Sequence, residues 1–381
     1  MEKIQADLLI VGGGLAGLAA ALAAQDRLER ILLVTKGGLF QSGSTFVNRN
    51  GRWGLTFAST DPERELLYQT INTVSRGTNE PELSRLLVEE SERAFRWLRD
   101  LGVEFLLAKG EISRVSPCFC SEPLAAVIRD TGQAAAALAP HLQRTRITIL
   151  EQTAAERVIV EKHRLGGMLL RRGGTQLLVQ CRAAILACGG NAALSPRNIV
   201  EPGLTGDGYE LAIKAGLTLR NLEYQQRVWE DVDPGAPRFP AAALLDEKYQ
   251  YFSGSEQLFP LHQIPSLDLA SRRNHVPISN LQEDRAIDAS LLNALPHSPD
   301  NTIHVTRNHT LINRIAPHVQ VSNGGIPIGP LGETALPGLY AAGEITTGMH
   351  GGDRIGGMMI TSCLVFGRRA GETAATYSNG G

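Results

Sequence analysis

The sequence predicts an α/β protein: a Rossmann-like dinucleotide-binding domain split into two stretches of chain, with an α+β capping domain inserted between them. Three observations carry this prediction. Near the start, an apolar strand runs into a glycine-rich turn and an alanine-rich helix. A second apolar run, Ala183 to Cys188, meets Gly189 and Gly190, and a third ends at Gly343 and Glu344 before a glycine-rich bend and an apolar helix. The expected divisions are 1–221 and 317–381 for the split domain and 222–316 for the cap. With 381 residues, 43% hydrophobic and 20% charged, the chain can bury the core that two domains require.

The first strand, residues 8–11, leads into G-x-G-x-x-G at Gly12, Gly14 and Gly17. Gly12 permits the tight turn, Gly14 lets a pyrophosphate approach the backbone, and Gly17 lets the helix pack on the strand. Leu15 and Ala16 open that helix and turn its free amides toward phosphates. The next strand, residues 31–34, ends in Thr35 and Lys36 rather than the acid that usually holds an adenosine ribose, which leaves NADP as a rival ligand. The uncharged stretch 8–24 is short for a membrane span, and its glycine turn between Asp7 and Asp26 fits strand plus helix. No targeting segment and no direct membrane insertion are expected.

A net charge of -2 with no long run of one sign disfavours nucleic acid as a partner. Cys118, Cys120, Cys181, Cys188 and Cys363 lack paired metal-ligand spacing. Their odd number argues against a disulfide framework, so a cytoplasmic protein without a metal centre is expected.

Between these landmarks, residues 37–56 are rich in Gly, Ser and Asn and read as a loop over a ligand. Apolar spacings of three and four predict helix from 61 to 101, stopped by Gly102, and another helix within 127–142 whose start Asp130 to Gly132 mark. Two or three strands are expected between 147 and 179, with turns at 164–167 and 172–174. Gly206, Asp207 and Gly208 feed a helix that Gly216 closes. From 222 to 317 Pro, Gln, Asn and His increase and long periodic runs disappear, marking the cap.

Taken together, these motifs resemble the flavoprotein family of succinate dehydrogenase, fumarate reductase and L-aspartate oxidase. The likeness covers most of residues 4–224 and 320–375, and the inserted segment matches poorly. Gly43, Ser44, Thr45 and Phe46 are similar to the family's flavin loop in its L-aspartate oxidase form. Ser44 stands where succinate dehydrogenase carries the histidine bonded to its cofactor, so the resemblance implies non-covalent FAD. Cys188 to Gly190 resembles A-T-G-G, Gly206 to Gly208 resembles G-D-G, and Gly343-Glu344 resembles A-G-E, which implies Gly189, Asp207 and Glu344 at the cofactor. The last helix, with Met359 and Ile360 in its first turn, is implied to point its amide end at the flavin's pyrimidine carbonyl and raise its potential.

The family's catalytic set is only partly present. Its first histidine falls on Val228, its proton-transfer arginine on Leu267 and its second histidine on Gln320. The carboxylate-binding arginine persists as Arg354, with Asp353 in place of asparagine. Leucine cannot donate a proton, so succinate, fumarate or aspartate chemistry by the family mechanism is not expected. Arg354 is the candidate substrate anchor, against a salt bridge to Asp353 or another acid. His350 and His318 are candidate general acids or bases. Arg272, with Arg273 and His275, is the candidate replacement for the missing arginine, against a solvated face. Tyr224 and Trp229 either line a cleft or pack in a core.

The expected activity is hydride transfer between FAD and a small molecule bearing a carboxylate or carbonyl group, at a carbon-carbon bond or an amine. The alternative is a flavin-binding electron-transfer subunit of a larger complex that lacks the parent reaction. The expected partners are a small-molecule substrate and, for the alternative, an electron-transfer subunit.

Overall fold

The computed structural model describes residues 2–143, 146–233, 244, 246, 248–258 and 271–380. A parallel sheet forms its centre, in the order Leu339–Ala341, Ala183–Leu186, Leu8–Val11, Ile31–Val34, Ile147–Leu150. The strands Leu8–Val11, Ile31–Val34 and Ala183–Leu186 are buried at every position, which is why they read as unbroken apolar runs rather than alternation.

The first and last helices join the two halves of this domain. Helix Leu15–Ala24 packs along helix Met358–Ser378. Their backbones approach so closely that a Cβ on Gly367 would lie 2.5 Å from Ala16 O, and one on Gly371 2.2 Å from Ala20 O. Only glycine allows this contact, so the last helix carries its own docking groove for the first. The Leu339–Ala341 strand beside Ala183–Leu186 completes the junction.

A second sheet pairs Glu2–Gln5 with Thr175–Gln180 and continues through Arg164–Arg172 and Thr153–Glu161. Its first turn differs from expectation: it falls at Lys162 and His163, both at positive φ, and Gly166 and Gly167 lie inside the Arg164–Arg172 strand. A Cβ on Gly167 would stand 2.3 Å from Val179 O, so this glycine serves strand packing rather than a turn. The 61–101 stretch divides into helices Asp61–Ser75, Pro81–Glu89 and Ser91–Asp100, interrupted first where Arg76 and Gly77 take positive φ. The helix expected within 127–142 runs from Thr131 to Gln143, after a short strand Ala125–Val127.

The cap holds an antiparallel sheet ordered Gln225–Asp231, Thr310–Ser322, Ile303–Arg307, Gln250–Ser253, Glu256–Gln257, with helix Arg285–Ala294 packed on it. Trp229, Ile278, Leu291, Ile303 and Ile315 form its separate core. Trp229 is buried there and donates from Nε1 to Asp288 Oδ1 at 2.8 Å, which places it in packing rather than along a cleft. Thr310–Ser322 is one continuous strand across positions 316 and 317, where the sequence suggested a division. Among the described residues, no helix is long and apolar enough to cross a membrane, and no cluster of His, Cys, Asp or Glu is arranged to hold a metal.

Candidate functional site

A cavity of about 270 Å³ opens at the carboxyl ends of Leu8–Val11, Ile31–Val34 and Ala183–Leu186, where a doubly wound sheet binds its ligand. Gly12, Gly14, Leu15, Ala16, Thr35, Lys36, Ser44, Thr45, Gly189, Asp207, Glu344, Met359 and Ile360 all line it. Gly17 sits behind the wall: a Cβ there would meet Gly12 O at 1.9 Å, so its role is helix-to-turn packing.

The lining fits a dinucleotide. A Cβ on Gly14 would meet only Thr45 Oγ1, at 3.6 Å, and one on Gly43 would meet nothing within 4 Å, so both backbones stay open to a ligand. Helices Leu15–Ala24 and Met358–Ser378 begin without a side-chain cap, and the first turns of both line the cavity. Their positive ends and most of their free amides are available to an anionic or carbonyl-bearing ligand. Leu15 N donates to Thr45 Oγ1 at 3.2 Å, while Ser44 Oγ is buried without a partner. A buried hydroxyl left unpaired in a polar wall marks a position where a bound group supplies the bond.

Lys36 does not stand ready for an additional phosphate. Its Nζ lies 2.6 Å from Asp207 Oδ2 and 3.0 Å from Thr205 Oγ1. Burial opposes ionisation of Asp207, but the hydrogen bonds from Lys36 and Thr205 outweigh it and hold the carboxyl below its ordinary range. A 2′-phosphate would have to break this pair. The position after the second strand thus pairs with Asp207, the first residue of helix Asp207–Lys214, rather than standing free for the extra phosphate of NADP.

Glu344 is buried, and Ser322 N donates to its Oε1 at 3.2 Å. Burial pushes its pKa up to about 7, with the Ser322 amide and Arg354 opposing the rise. An acid whose folded pKa is raised binds more protons folded than unfolded. Its contribution is fully present below the ordinary value of 4.5 and is lost as pH rises through about 7. In cofactor-free protein, Glu344→Gln is thus expected to stabilise the fold by about 2 to 3 kcal/mol at pH 8 and by nothing near pH 4.5. Chemical denaturation of both proteins at the two pH values checks this, and an equal difference at both would refute it.

Arg354 lies in the bend that follows Glu344 and is 8% exposed. Its Nη2 donates to Gln226 Oε1 at 2.5 Å, Nη1 reaches Ile355 O at 3.4 Å, and Nε is buried without a partner. The bland alternative fails at Asp353, whose carboxylate accepts from Ser279 Oγ, Asn280 N and Leu281 N at 2.8 Å each, and from Gln282 Nε2 at 3.2 Å. Asp353 therefore stitches the bend to the cap. Among the described residues no carboxylate lies within ion-pair distance of Arg354. Burial lowers the guanidinium pKa to about 10 while Glu344 opposes the fall, so Arg354 remains a cation at neutral pH.

The other candidates separate. His350 is buried with Nε2 3.3 Å from Ser362 Oγ, and burial, then Arg354, hold its pKa well below the ordinary value. It is a neutral ring at physiological pH, which corrects the acid half of the acid-or-base role expected there. Arg272 is likewise corrected: it forks onto Asp288 at 2.9 and 3.2 Å and donates its other hydrogens to the carbonyls of His275 and Val276. His275 bridges Pro277 O and Asp284 and stacks on Phe119 at 4.1 Å. Cap groups and Phe119 of the split domain thus hold Arg272 and His275, and Arg273 is exposed. Leu267 lies outside the described residues.

Strand register sets His318 on the face that carries Gln226. Val228 is the register partner of His318, and directly opposed residues share a face. Along Gln225–Asp231 that face carries Gln226, Val228 and Glu230. Gln226 holds Arg354, and Glu230 pairs with Arg49 of the 37–56 loop at 3.0 Å, so the face looks toward the split domain. Gln320 occupies the bulge between the Gln226 and Arg227 registers. Since a carbonyl only accepts, His318 Nδ1 is the donor to Ala316 O at 3.0 Å, and Nε2 is the ring nitrogen outside that bond. Tyr224 lies beside the same bend, 3.2 Å from where a Cβ of Gly352 would stand. Gln226 and Glu230 were missed in the sequence. Their signal was alternation with Val228 on one strand.

A family model described as an FAD binding domain matches residues 7–230 and 270–360. The chain is 28% identical to one subunit of the fumarate reductase (CoM/CoB) of Methanothermobacter marburgensis, covering 98% of this chain and 73% of that one. It is 28% identical to L-aspartate oxidase of Caulobacter vibrioides, covering 96% and 76%. Among solved structures, Mycobacterium smegmatis Sdh1 in complex with UQ1 superposes with a TM-score of 0.84 at 22% identity, over 100% of this chain and 70% of that one. The 3-ketosteroid-Δ4-(5α)-dehydrogenase of Rhodococcus jostii RHA1 superposes at 0.68 and 15% identity, over 98% of each chain, a likeness of fold alone. With the cradle's own geometry, these matches establish that the chain belongs to the FAD binding domain family, as an FAD-dependent oxidoreductase of the fumarate reductase and L-aspartate oxidase type.

Proposed function

We propose that the protein moves hydride between non-covalently held FAD and a small carboxylate, at a carbon-carbon or carbon-nitrogen bond of that substrate. One observation carries the reading: the buried guanidinium of Arg354 has no carboxylate partner among the described residues and keeps Nε unpaired. A cation left in that state is matched to a carboxylate that arrives from outside. FAD, when bound, supplies the two-electron acceptor or donor. The Gly14 and Gly43 backbones, Ser44 and the two helix ends hold it, and Ser44 offers no ring nitrogen for a covalent link.

The remaining task is to move a proton at the substrate. Neutral His350 and the forked Arg272 are poor carriers, whereas His318 presents Nε2 from the strand face that also bears Gln226. His318 is the proposed proton carrier and Arg354 the proposed anchor. The five cysteines are unpaired, which supports a reducing compartment, and the cytoplasm is the proposed location. An electron-transfer partner is proposed because the Methanothermobacter relative is itself named as one subunit of its enzyme.

The test is anaerobic mixing of FAD-loaded wild type and His318→Gln with saturated, unsaturated and amino carboxylates, followed through flavin absorbance in both redox states. At least one carboxylate is expected to change the flavin's redox state, with His318→Gln slower by about a hundredfold at unchanged FAD content. If neutral compounds react and carboxylates do not, the function is wrong. Equal rates for the two proteins would remove His318 from the chemistry.

A further inference from the structure

We propose that Gln226 is a positioning residue that holds Arg354 oriented yet unneutralised, so that its charge is reserved for a substrate carboxylate. The inference rests on the anchoring role of Arg354 and deepens it. Gln226 is 2% exposed and grips Arg354 twice: Nε2 donates to Arg354 O at 3.0 Å, and Oε1 accepts from Arg354 Nη2 at 2.5 Å. One carboxamide thereby fixes the guanidinium relative to its own backbone. Beyond it, Nη1 has only the long contact to Ile355 O at 3.4 Å, and Nε has nothing. A guanidinium carries five N–H donors, so most of its capacity stays uncommitted.

The choice of amide over acid is what makes this a device. A carboxylate at position 226 would form the same contact as an ion pair and occupy the cation permanently. Further along the same strand face the opposite choice is made: Glu230 is an acid and pairs with Arg49 at 3.0 Å. The face thus meets two arginines, one matched by an acid and one by an amide. The other acids near Arg354 are engaged elsewhere, Asp353 by the 279–282 segment and Glu344 by Ser322 N.

The probe is malonate, a dicarboxylate with a single methylene and therefore no carbon-carbon bond to desaturate, titrated into the FAD-loaded full chain and read by flavin absorbance. Gln226→Glu, nearly isosteric, is expected to bind malonate about a hundredfold more weakly at pH 8 with FAD content unchanged, and to recover partly as pH falls and the introduced carboxyl protonates. Gln226→Met removes the grip without adding charge and is expected to weaken binding by about tenfold with no such recovery. Arg354→Ala runs alongside. If Arg354→Ala loses malonate while Gln226→Glu and Gln226→Met both bind within about twofold of wild type, this inference falls and the anchoring role stands. If wild type binds malonate no better than Arg354→Ala, both fall. Should Gln226→Glu fail to fold, Gln226→Met alone decides.

Discussion

Arg354→Ala is expected to leave FAD in place while flavin reduction or reoxidation by a carboxylate substrate falls by about two to three orders of magnitude. The size follows from removing one partner of a desolvated carboxylate pair, about 2 to 5 kcal/mol. The loss is expected mainly in kcat/KM, because the anchor acts from first encounter through the transition state. Stability supplies the second half of the prediction. Arg354 leaves no ion-pair partner stranded, since Asp353 is held by Ser279, Asn280, Leu281 and Gln282, and Glu344, which feels the Arg354 charge only beyond ion-pair distance, accepts from Ser322 N. The cofactor-free variant is therefore expected to unfold within about 1 kcal/mol of wild type, whereas breaking a buried ion pair costs about 3 to 5 kcal/mol. Rapid-reaction kinetics and denaturation on the same preparations check both. A strongly destabilised variant with unchanged kinetics would assign Arg354 to the scaffold.

Gly12→Ala is expected to cost more than alanine at any other glycine that lines the cavity. Gly12 sits at φ +124°, and a Cβ there would stand 2.1 Å from Ala187 O and 2.6 Å from Ala187 C. Neither neighbour can move cheaply: Gly12 N donates to Val34 O at 2.9 Å, and Ala187 N donates to Val11 O at 2.8 Å. The methyl group would have to push the central strands apart, a loss of more than about 4 kcal/mol. Little folded protein and no bound flavin are expected. Gly14→Ala is the contrast, because its Cβ would point into the cavity with Thr45 Oγ1 3.6 Å away. That variant is expected to fold and to lose FAD. Gel filtration with the flavin-to-protein absorbance ratio separates the outcomes, and a folded Gly12→Ala carrying wild-type flavin would refute the close-approach argument.

These two positions also mark what was legible in the sequence. The cradle was readable because its demands are local: glycine where backbones touch, apolar runs where strands are buried on both faces, helix starts directly after turns. The same logic misplaced the turn at Gly166 and Gly167, where the close neighbour of Gly167 is Val179 of another strand rather than the chain's own turn. The cap was harder, because its strands bury Gln226, Glu230, Asp231 and Asn313 and so blur polar-apolar alternation. Arg272 looked available because its partner Asp288 lies on a separate helix, and His350 looked titratable because sequence does not reveal complete burial. Gln226 escaped notice for a related reason. Its meaning depends on meeting Arg354 across the whole fold.

The most direct test compares one reactive carboxylate with its neutral methyl ester or amide, mixed anaerobically with FAD-loaded wild type and Arg354→Ala under flavin absorbance. The expected result is rapid reaction of wild type with the acid alone, and slow reaction of Arg354→Ala with acid and neutral analogue alike. Equal rates for acid and neutral analogue in wild type would contradict carboxylate anchoring at Arg354.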